Sequence, residues 1–175
     1  MDLFEQVDRS IFEFGTRLHL VRAEHWMLAT PCEEWDVRAL VNHVVGGATR
    51  YTMLLHGATA GDVVATVALD HLGEDPMGSF DRRAEEVVHA FGEPGALSRT
   101  VHHPAGDISG HELLELRITE FAVHAWDLSR AIGADEQIDP ALVDPMWRHM
   151  SVAGTRVDPG ESPLARLLHL TGRRP

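Results

Sequence analysis

Apolar residues recur every three or four positions along most of the chain, which is the pattern of helices with one buried face. The first helix is predicted over residues 3–28, before Pro31, because proline disfavours helical backbone in the residue that precedes it. The second is predicted over residues 36–56, with Gly57 as its stop. Their apolar positions are Val7, Ile11, Phe14, Leu18 and Val21 in the first helix, and Val37, Leu40, Val44, Ala48, Tyr51 and Leu55 in the second.

Two further helices complete the predicted bundle. The third, over residues 79–91, has its apolar face at Phe80, Ala84, Val87, Val88 and Phe91. The fourth begins after Ser109, whose spacing from Glu112 is that of a capping box, and it ends at Gly133. At a rise of about 1.5 Å per residue, the fourth helix would be on the order of 35 Å long and would span the bundle.

The connections over residues 58–78 and 92–108 are longer than an up-and-down bundle requires. They therefore indicate a crossover connection. Within the second of them, residues 97–103 include β-branched side chains and are predicted to be extended.

The last part of the chain is predicted to form short helices. One covers residues 140–152 and is perturbed by Pro145, and another begins after Ser162 with Pro163 in its first turn. The fold class that follows is all-α: one domain over residues 1–175, built as a four-helix bundle with a long crossover and short C-terminal helices.

The fourth helix carries polar side chains where its apolar face should be. Arg117 lies among the core positions, and Glu120, His124 and Asp127 lie about 60°, 20° and 80° from it on a helical wheel. The core side contains Leu113, Leu114, Phe121, Leu128, Ala131 and Ile132, and the predicted solvent side contains Glu112, Glu115, Thr119 and Arg130. Burying an unpaired charge is costly, so these polar groups should pair with one another, bind an ion or line a pocket.

Glu120 and His124 are four residues apart, so a carboxylate and an imidazole can meet at one divalent metal. The same spacing occurs at Glu85 and His89, but His89 lies off the apolar stripe of its helix, and that pair is predicted to be on the surface. His43, in "LVNHVVGG" of the second helix, is the candidate third ligand. The residues alone leave an alternative open, a buried Glu–His–Arg network in which His43 is an ordinary half-buried histidine.

Composition narrows the function classes. The 27 acidic and 15 basic residues give a net charge of −12, which repels nucleic-acid phosphates and anionic membrane surfaces. No lysine is present, which excludes Schiff-base chemistry and a P-loop lysine. The chain has a single cysteine, Cys32, and its start lacks the pattern of a signal peptide, so a cytoplasmic location is expected.

Three segments together resemble a known family: "TPCEEWDVRALVNHVVGG", "ELRITEFAVHAWDLSRAIG" and the closing "LLHLTGRRP". In this order and at these separations they are similar to the DinB/YfiT-like superfamily, and most similar to the actinobacterial branch related to the N-terminal domain of mycothiol-dependent maleylpyruvate isomerase. The resemblance implies a four-helix bundle with a long crossover and a His, Glu, His metal triad, here His43, Glu120 and His124. The isomerase carries a further C-terminal domain, whereas this chain ends soon after "GRRP", so the resemblance does not transfer the isomerase activity with the fold.

The function expected from this combination is that of a metal-dependent thiol S-transferase or thiol-dependent isomerase. Zn²⁺ is the expected metal, with Ni²⁺, Fe²⁺ or Mn²⁺ also suited to two imidazoles and a carboxylate. Mycothiol is the expected thiol cosubstrate, attacking a small electrophile whose identity the sequence does not specify.

Asp127 and Arg117 are expected to act beside the metal. Asp127 would accept a hydrogen bond from the second ring nitrogen of His124 or contact the substrate; its alternative is an ion pair with Arg130. Arg117 would neutralise Glu120, meet an anionic substrate, or form a structural ion pair.

Two rival functions use the same residues. In one, the bundle is a non-catalytic protein that binds a metal and a small ligand. In the other, it acts chiefly as a homodimer and its metal is structural.

Other residues with reactive or aromatic side chains carry weaker signals. Cys32 is either a nucleophile or a small buried hydrophobe, and His102 and His103 are either site residues or exposed loop histidines. Trp35 and Trp126 are expected to be core or interface anchors.

Overall fold

Seven helices and one hairpin make up the described part of the chain, residues 1–151 and 160–175 of a computed structural model. In chain order the helices are α1 (Leu3–Leu18), α2 (Val37–Leu55), α3 (Ala60–Val64), α4 (Pro76–Phe91), α5 (Gly110–Ile132), α6 (Pro140–Met150) and α7 (Pro163–Leu170). Helices α1, α2, α4 and α5 form the bundle: α5 packs against α1 and α2, and α4 packs against the same two helices. The predicted all-α four-helix bundle is confirmed.

Helices α2 and α5 are the two whose limits agree best with the prediction, because both have strong local signals. The Asp36 side chain accepts a hydrogen bond from the Ala39 backbone at 2.8 Å and starts α2. Ser109 and Glu112 form the predicted capping box at the start of α5. Gly133 ends α5 in the left-handed conformation, with φ of 68°.

Helix α1 ends at Leu18 and not at Leu28, so the predicted length was wrong. The apolar spacing continues to Val21, which is buried, but the chain turns away there and forms a short 3-10 turn at Ala23–His25. Residues 28–37 then fold back on themselves through a bridge between Ala29 and Asp36. Periodicity does not distinguish a buried loop residue such as Val21 from the next turn of a helix.

The first long connection contains structure that the sequence pattern did not reveal. Helix α3 is only five residues long and buries a single apolar side chain, Val63. Helix α4 starts at Pro76, three residues before the predicted Ser79, because Asp75 caps it and proline fits its first turn.

The second long connection forms an antiparallel hairpin of β1 (Thr100–His103) and β2 (Gly106–Ser109), with Thr100 opposite Ser109. The predicted extended stretch over 97–103 is therefore correct for β1, while its first two residues belong to a 3-10 turn, Ala96–Ser98. Strand β2 was missed because its four residues carry no alternating apolar pattern.

Helix α6 covers part of the α5 face that was predicted to be exposed to solvent. Thr119 is buried, and half-buried Glu115 lies with its Oε2 2.9 Å from Nδ1 of His149. These two residues were predicted to be exposed to solvent. That prediction was wrong because the periodicity of α5 does not show that a later helix packs on this face. Pro145 lies within α6, and the predicted end of this helix at Val152 falls outside the described residues.

No helix among the described residues combines the length and the apolar content needed to cross a membrane.

Candidate metal centre

The inward-facing polar residues of α5 lie where the helical wheel predicts. Arg117 and Asp127 are 0% exposed and His124 is buried, while Glu120 is half-buried. Helix α5 packs against α1 and α2 and is also covered by α6, so most of its circumference is inside the protein. Each of these polar groups must therefore find its partners within the fold.

His43 of α2 and Glu120 of α5 face each other, with 3.5 Å between Nε2 of His43 and Oε1 of Glu120. The rings of His43 and His124 are 5.1 Å apart between centroids and inclined at 72°. The structure thus brings the three predicted ligands to one place between α2 and α5.

Two separations in this arrangement resemble those of a tetrahedral zinc site, although the potential ligand atoms of the three residues do not all lie within 4.8 Å of one another. Two ligand atoms held about 2.0–2.1 Å from one zinc ion lie about 3.3 Å apart, close to the His43–Glu120 separation. Two imidazoles bound to the same ion place their centroids about 5 Å apart, as His43 and His124 do. The donor set of two imidazoles and one carboxylate is also that of catalytic zinc sites.

Arg117 holds the other oxygen of Glu120. Its Nη1 donates to Oε2 of Glu120 at 2.9 Å, its Nη2 donates to the Val44 carbonyl at 2.6 Å, and its guanidinium lies 3.8 Å from the centre of the Phe121 ring. Helix α2 leaves space for this group because residue 47 is glycine: a Cβ there would lie 2.5 Å from Nη1 of Arg117. Arg117 is therefore built into the wall of the site.

The electrostatic environment keeps Glu120 ionised. Burial alone would raise its pKa, but the hydrogen bond from His43 and the charge of Arg117 outweigh burial and hold the pKa well below the usual value. Arg117 forms an ion pair with Oε2 of Glu120, and Oε1 is left facing His43.

Asp127 orients His124. Oδ2 of Asp127 accepts a hydrogen bond from Nδ1 of His124 at 2.8 Å, so Nδ1 carries the proton and Nε2 is the nitrogen available to a metal. Burial opposes the charge of Asp127, yet hydrogen bonds from His124 and Arg173 bring its pKa below the ordinary value. Burial lowers the pKa of His124 despite the opposing effect of Asp127.

The alternative partner considered for Asp127 was wrong. Arg130 pairs with Glu136 at 3.1 Å and lies over the Trp126 ring, whereas Asp127 pairs with Arg173 at 2.7 Å. Arg173 belongs to the closing segment "LLHLTGRRP", but nothing in its spacing connects it to residue 127.

Cys32 contacts the same oxygen of Asp127 as His124 does. Its Sγ donates to Oδ2 of Asp127 at 3.3 Å and accepts from Nη2 of Arg173 at 3.4 Å. Burial and the charge of Asp127 raise the pKa of Cys32 to about 11. A thiol with that pKa is a poor nucleophile at neutral pH, and it is more than an apolar filler because it is hydrogen-bonded.

Cys32, His124 and Asp127 also form a compact group, with one potential ligand atom from each within 4.8 Å of the others. His43 and Glu120 are not members of that group. Arg173 donates to two of its three members, Cys32 and Asp127, so a cation bound there would lie beside the guanidinium charge.

The remaining candidate residues lie at the site, in the core or on the surface. The Trp35 ring packs 4.6 Å from His43 and 6.2 Å from His124, so it covers the candidate site, a role that its sequence context did not reveal. Trp126 is a core residue, as expected. His102 is exposed on the hairpin and pairs with Asp107 at 2.8 Å, and Glu85 and His89 are exposed as predicted.

Comparison with known proteins agrees with this fold. The family model described as the mycothiol maleylpyruvate isomerase N-terminal domain matches residues 8–129, which include all three candidate ligands. Two uncharacterized proteins from two strains of Mycobacterium tuberculosis are 33% identical over 143 residues, or 81% of this chain and 74% of theirs.

Two solved structures are also similar, the mycothiol-dependent maleylpyruvate isomerase and a mutant of it. Their TM-scores are 0.64 and 0.62 at 20% and 19% identity, and each match covers 83% of this chain and 68% of that chain. At these identities the structural match shows the fold. The family match covers most of the chain, and the chain therefore belongs to the mycothiol maleylpyruvate isomerase N-terminal domain family.

Proposed function

We propose that this protein is a divalent-metal-dependent enzyme that uses a low-molecular-weight thiol, mycothiol, to transform a small electrophile by S-transfer or isomerisation. The observation that carries the proposal is the approach of His43 Nε2 to within 3.5 Å of Glu120 Oε1, beside His124, in a chain of this family. Mycothiol enters the proposal because the named structural relative is a mycothiol-dependent isomerase.

His43, Glu120 and His124 are the proposed ligands, and Zn²⁺ is the proposed metal. Ni²⁺, Fe²⁺ and Mn²⁺ suit the same donor set, so cellular supply takes part in the choice. When bound, the cation would supply Lewis acidity that favours the thiolate form of a thiol.

Three protein ligands leave part of a metal's coordination sphere for other molecules. The His43 and Glu120 side chains are each 27% exposed, whereas the His124 side chain is only 10% exposed. Substrates would therefore enter from the His43–Glu120 side.

The surrounding residues hold these ligands ready. Arg117 keeps Glu120 ionised and fixes the direction of its free oxygen, and Asp127 keeps the lone pair of His124 on Nε2. Trp35 packs beside both histidine rings and covers that side of the site. In this account Arg117 and Asp127 act as positioning residues.

The proposal is tested by incubating the zinc-loaded protein with mycothiol and a panel of electrophiles: maleylpyruvate, an activated aryl halide and an epoxide. Thiol loss and isomerisation are measured in the native protein, in Glu120→Gln and in Glu85→Gln. Glu85→Gln is the matched control, because it alters the exposed member of the same sequence spacing.

We expect thiol-dependent turnover that Glu120→Gln abolishes and Glu85→Gln leaves unchanged. Zinc bound by the native protein without thiol-dependent turnover of any electrophile would instead favour the non-catalytic metal and small-ligand-binding protein.

The homodimer, the cytoplasmic location and the lack of nucleic-acid or membrane partners stay predictions of the sequence. Sedimentation velocity of the purified protein tests the first of them directly.

A further inference from the structure

We propose that Arg173 is a positioning residue that holds His124 in its metal-binding orientation by fixing the carboxylate of Asp127. This inference rests on the proposed function, since it concerns how one of the proposed ligands is kept ready. It adds a residue of the C-terminal tail, outside the segment matched by the family model, to the machinery of the site.

The contact between Arg173 and Asp127 is a two-pronged one. Nε of Arg173 donates to Oδ1 of Asp127 at 3.1 Å, and Nη2 donates to Oδ2 at 2.7 Å. Such a fork fixes both the position and the plane of a carboxylate. Oδ2 is also the atom that accepts the hydrogen bond from Nδ1 of His124, at 2.8 Å.

The backbone of the C-terminal tail positions the Arg173 side chain. Helix α7 is anchored by buried Leu167 and Leu168, and Gly172 follows it with φ of 80°. The backbone N–H of Arg173 donates to the Leu168 carbonyl at 2.9 Å, and its Nη1 donates to the Thr171 carbonyl at 2.6 Å. The guanidinium is therefore held from its own helix end as well as by Asp127.

The contact with Arg173 is important because Asp127 is buried. Asp127 is 0% exposed, so its charge has no water to solvate it and depends on its protein donors. Those donors are Arg173, His124 and the Cys32 thiol, and only Arg173 is a permanent cation. Without Arg173, the carboxylate would be free to rotate or move, and the single orientation of the His124 ring would be lost.

The same geometry assigns a role to the compact group of Cys32, His124 and Asp127. The Arg173 guanidinium already provides the positive charge there, so the group is a support for His124 and not a second metal site.

The first test is made on the full-length protein after its metal has been removed by chelation. Long-range proton–nitrogen correlation spectra, with the His124 signals assigned by comparison with His124→Gln, report which ring nitrogen carries the proton. We expect the Nδ1–H form alone in the native protein and in Arg174→Gln, the charge-matched control at the exposed neighbouring arginine. In Arg173→Gln we expect a mixture of both forms, while the signals of His102, which pairs with exposed Asp107, stay unchanged.

The second test is zinc affinity by competition with a chelating dye. Loss of the direct partner of a ligating histidine lowers metal affinity about 10–100-fold. Because Arg173 acts through that partner, Asp127, we expect Arg173→Gln to lower zinc affinity by about 10-fold, the lower end of the range. Arg173→Lys keeps the charge without the fork and should lie between Arg173→Gln and the native protein. Arg174→Gln should have the native affinity.

A double-mutant cycle shows whether Arg173 acts through Asp127. In an Asp127→Asn background, Arg173→Gln should have no further effect on zinc affinity. Neither Asp127→Asn nor the Asp127→Asn/Arg173→Gln double variant contains a buried carboxylate without its cation. The two can therefore be compared in folded form even where Arg173→Gln alone does not fold. An effect of Arg173→Gln as large in the Asp127→Asn background as in the native one would overturn the proposal.

An unchanged Nδ1–H form of His124 in Arg173→Gln would also overturn it. The two proposals fail separately: a native protein that binds no zinc contradicts the metal site, whereas the tautomer in the metal-free protein decides the role of Arg173 by itself.

Discussion

Arg117 lies entirely inside the bundle, and its charge is compensated by Glu120, by the Val44 carbonyl and by the faces of aromatic rings. Asp127 is compensated in the same way by Arg173 and His124. The polar residues on the inner face of α5 are thus two linked ion-pair systems that meet at the candidate metal centre. The sequence left open whether these polar residues bind an ion or only one another. The answer depends on whether His43 and Glu120 hold a metal between them.

At the scale of single residues, Gly47→Ala should damage this site. The new Cβ would lie 2.5 Å from Nη1 of Arg117 and 3.3 Å from Oε2 of Glu120, so the guanidinium must move away from its partners. We expect the free energy of unfolding to fall by about 1–3 kcal/mol, measured by urea denaturation.

Gly61→Ala is the control, because the nearest atom to a Cβ at that position is 3.6 Å away. Equal stability of Gly47→Ala and the native protein would mean that Arg117 is not confined as the structure indicates.

Cys32 should react slowly with iodoacetamide in the folded protein. Because its pKa is raised to about 11, it stays a thiol at neutral pH, and its thiolate fraction increases tenfold with each pH unit until the pH approaches that value. We expect alkylation at pH 7.5 to be about 100-fold slower than in the urea-unfolded chain. A rate that levels off near pH 8.5, as for an ordinary cysteine, would contradict this environment.

At the scale of elements, α5 carries two of the three proposed ligands and begins with a capping box. Ser109→Ala removes the acceptor for the Glu112 backbone N–H and should lower the free energy of unfolding by about 1 kcal/mol. The zinc content should stay unchanged, because the cap lies at the far end of α5 from His124. Urea denaturation measures the stability, and metal analysis measures the zinc content. Loss of zinc in Ser109→Ala would contradict the independence of the metal site from the helix cap.

The elements show what local sequence can predict. Helices α2 and α5 were predicted closely because each combines a long apolar repeat with a capping residue. The end of α1 and the position of α6 over Thr119 were not, since both depend on contacts with distant parts of the chain. Strand β2 and helix α3 are too short to show a period.

The sequence likewise predicted some residues of the candidate site and not others. The proximity of Glu120 and His124 follows from helical spacing, and the choice of His43 followed from its position beside an apolar stripe and two glycines and from the family resemblance. Arg173 is 46 residues from its partner Asp127, and Trp35 reaches the histidines through a loop. No periodicity connects such residues, so their roles emerge only from the fold.

At the scale of the whole molecule, the proposed metal would join α2 to α5, while the apolar core of the bundle is formed without it. Chelation should therefore lower the melting temperature and leave a single cooperative transition, because ligand binding adds to a fold that is already stable. Calorimetry with and without chelator measures this. Complete unfolding on chelation would instead favour a structural metal, the alternative in which the bundle acts chiefly as a homodimer.

Metal analysis by plasma mass spectrometry decides whether His43, Glu120 and His124 hold a divalent metal. The untagged native protein is compared with His43→Ala and with His89→Ala, a matched change at an exposed histidine. We expect about one metal ion per chain in the native protein and in His89→Ala, and none in His43→Ala. A native protein that binds no metal after reconstitution with zinc or nickel, or a His43→Ala variant that keeps its metal, would contradict this ligand assignment and leave Glu120, His124 and Arg117 as a buried polar network.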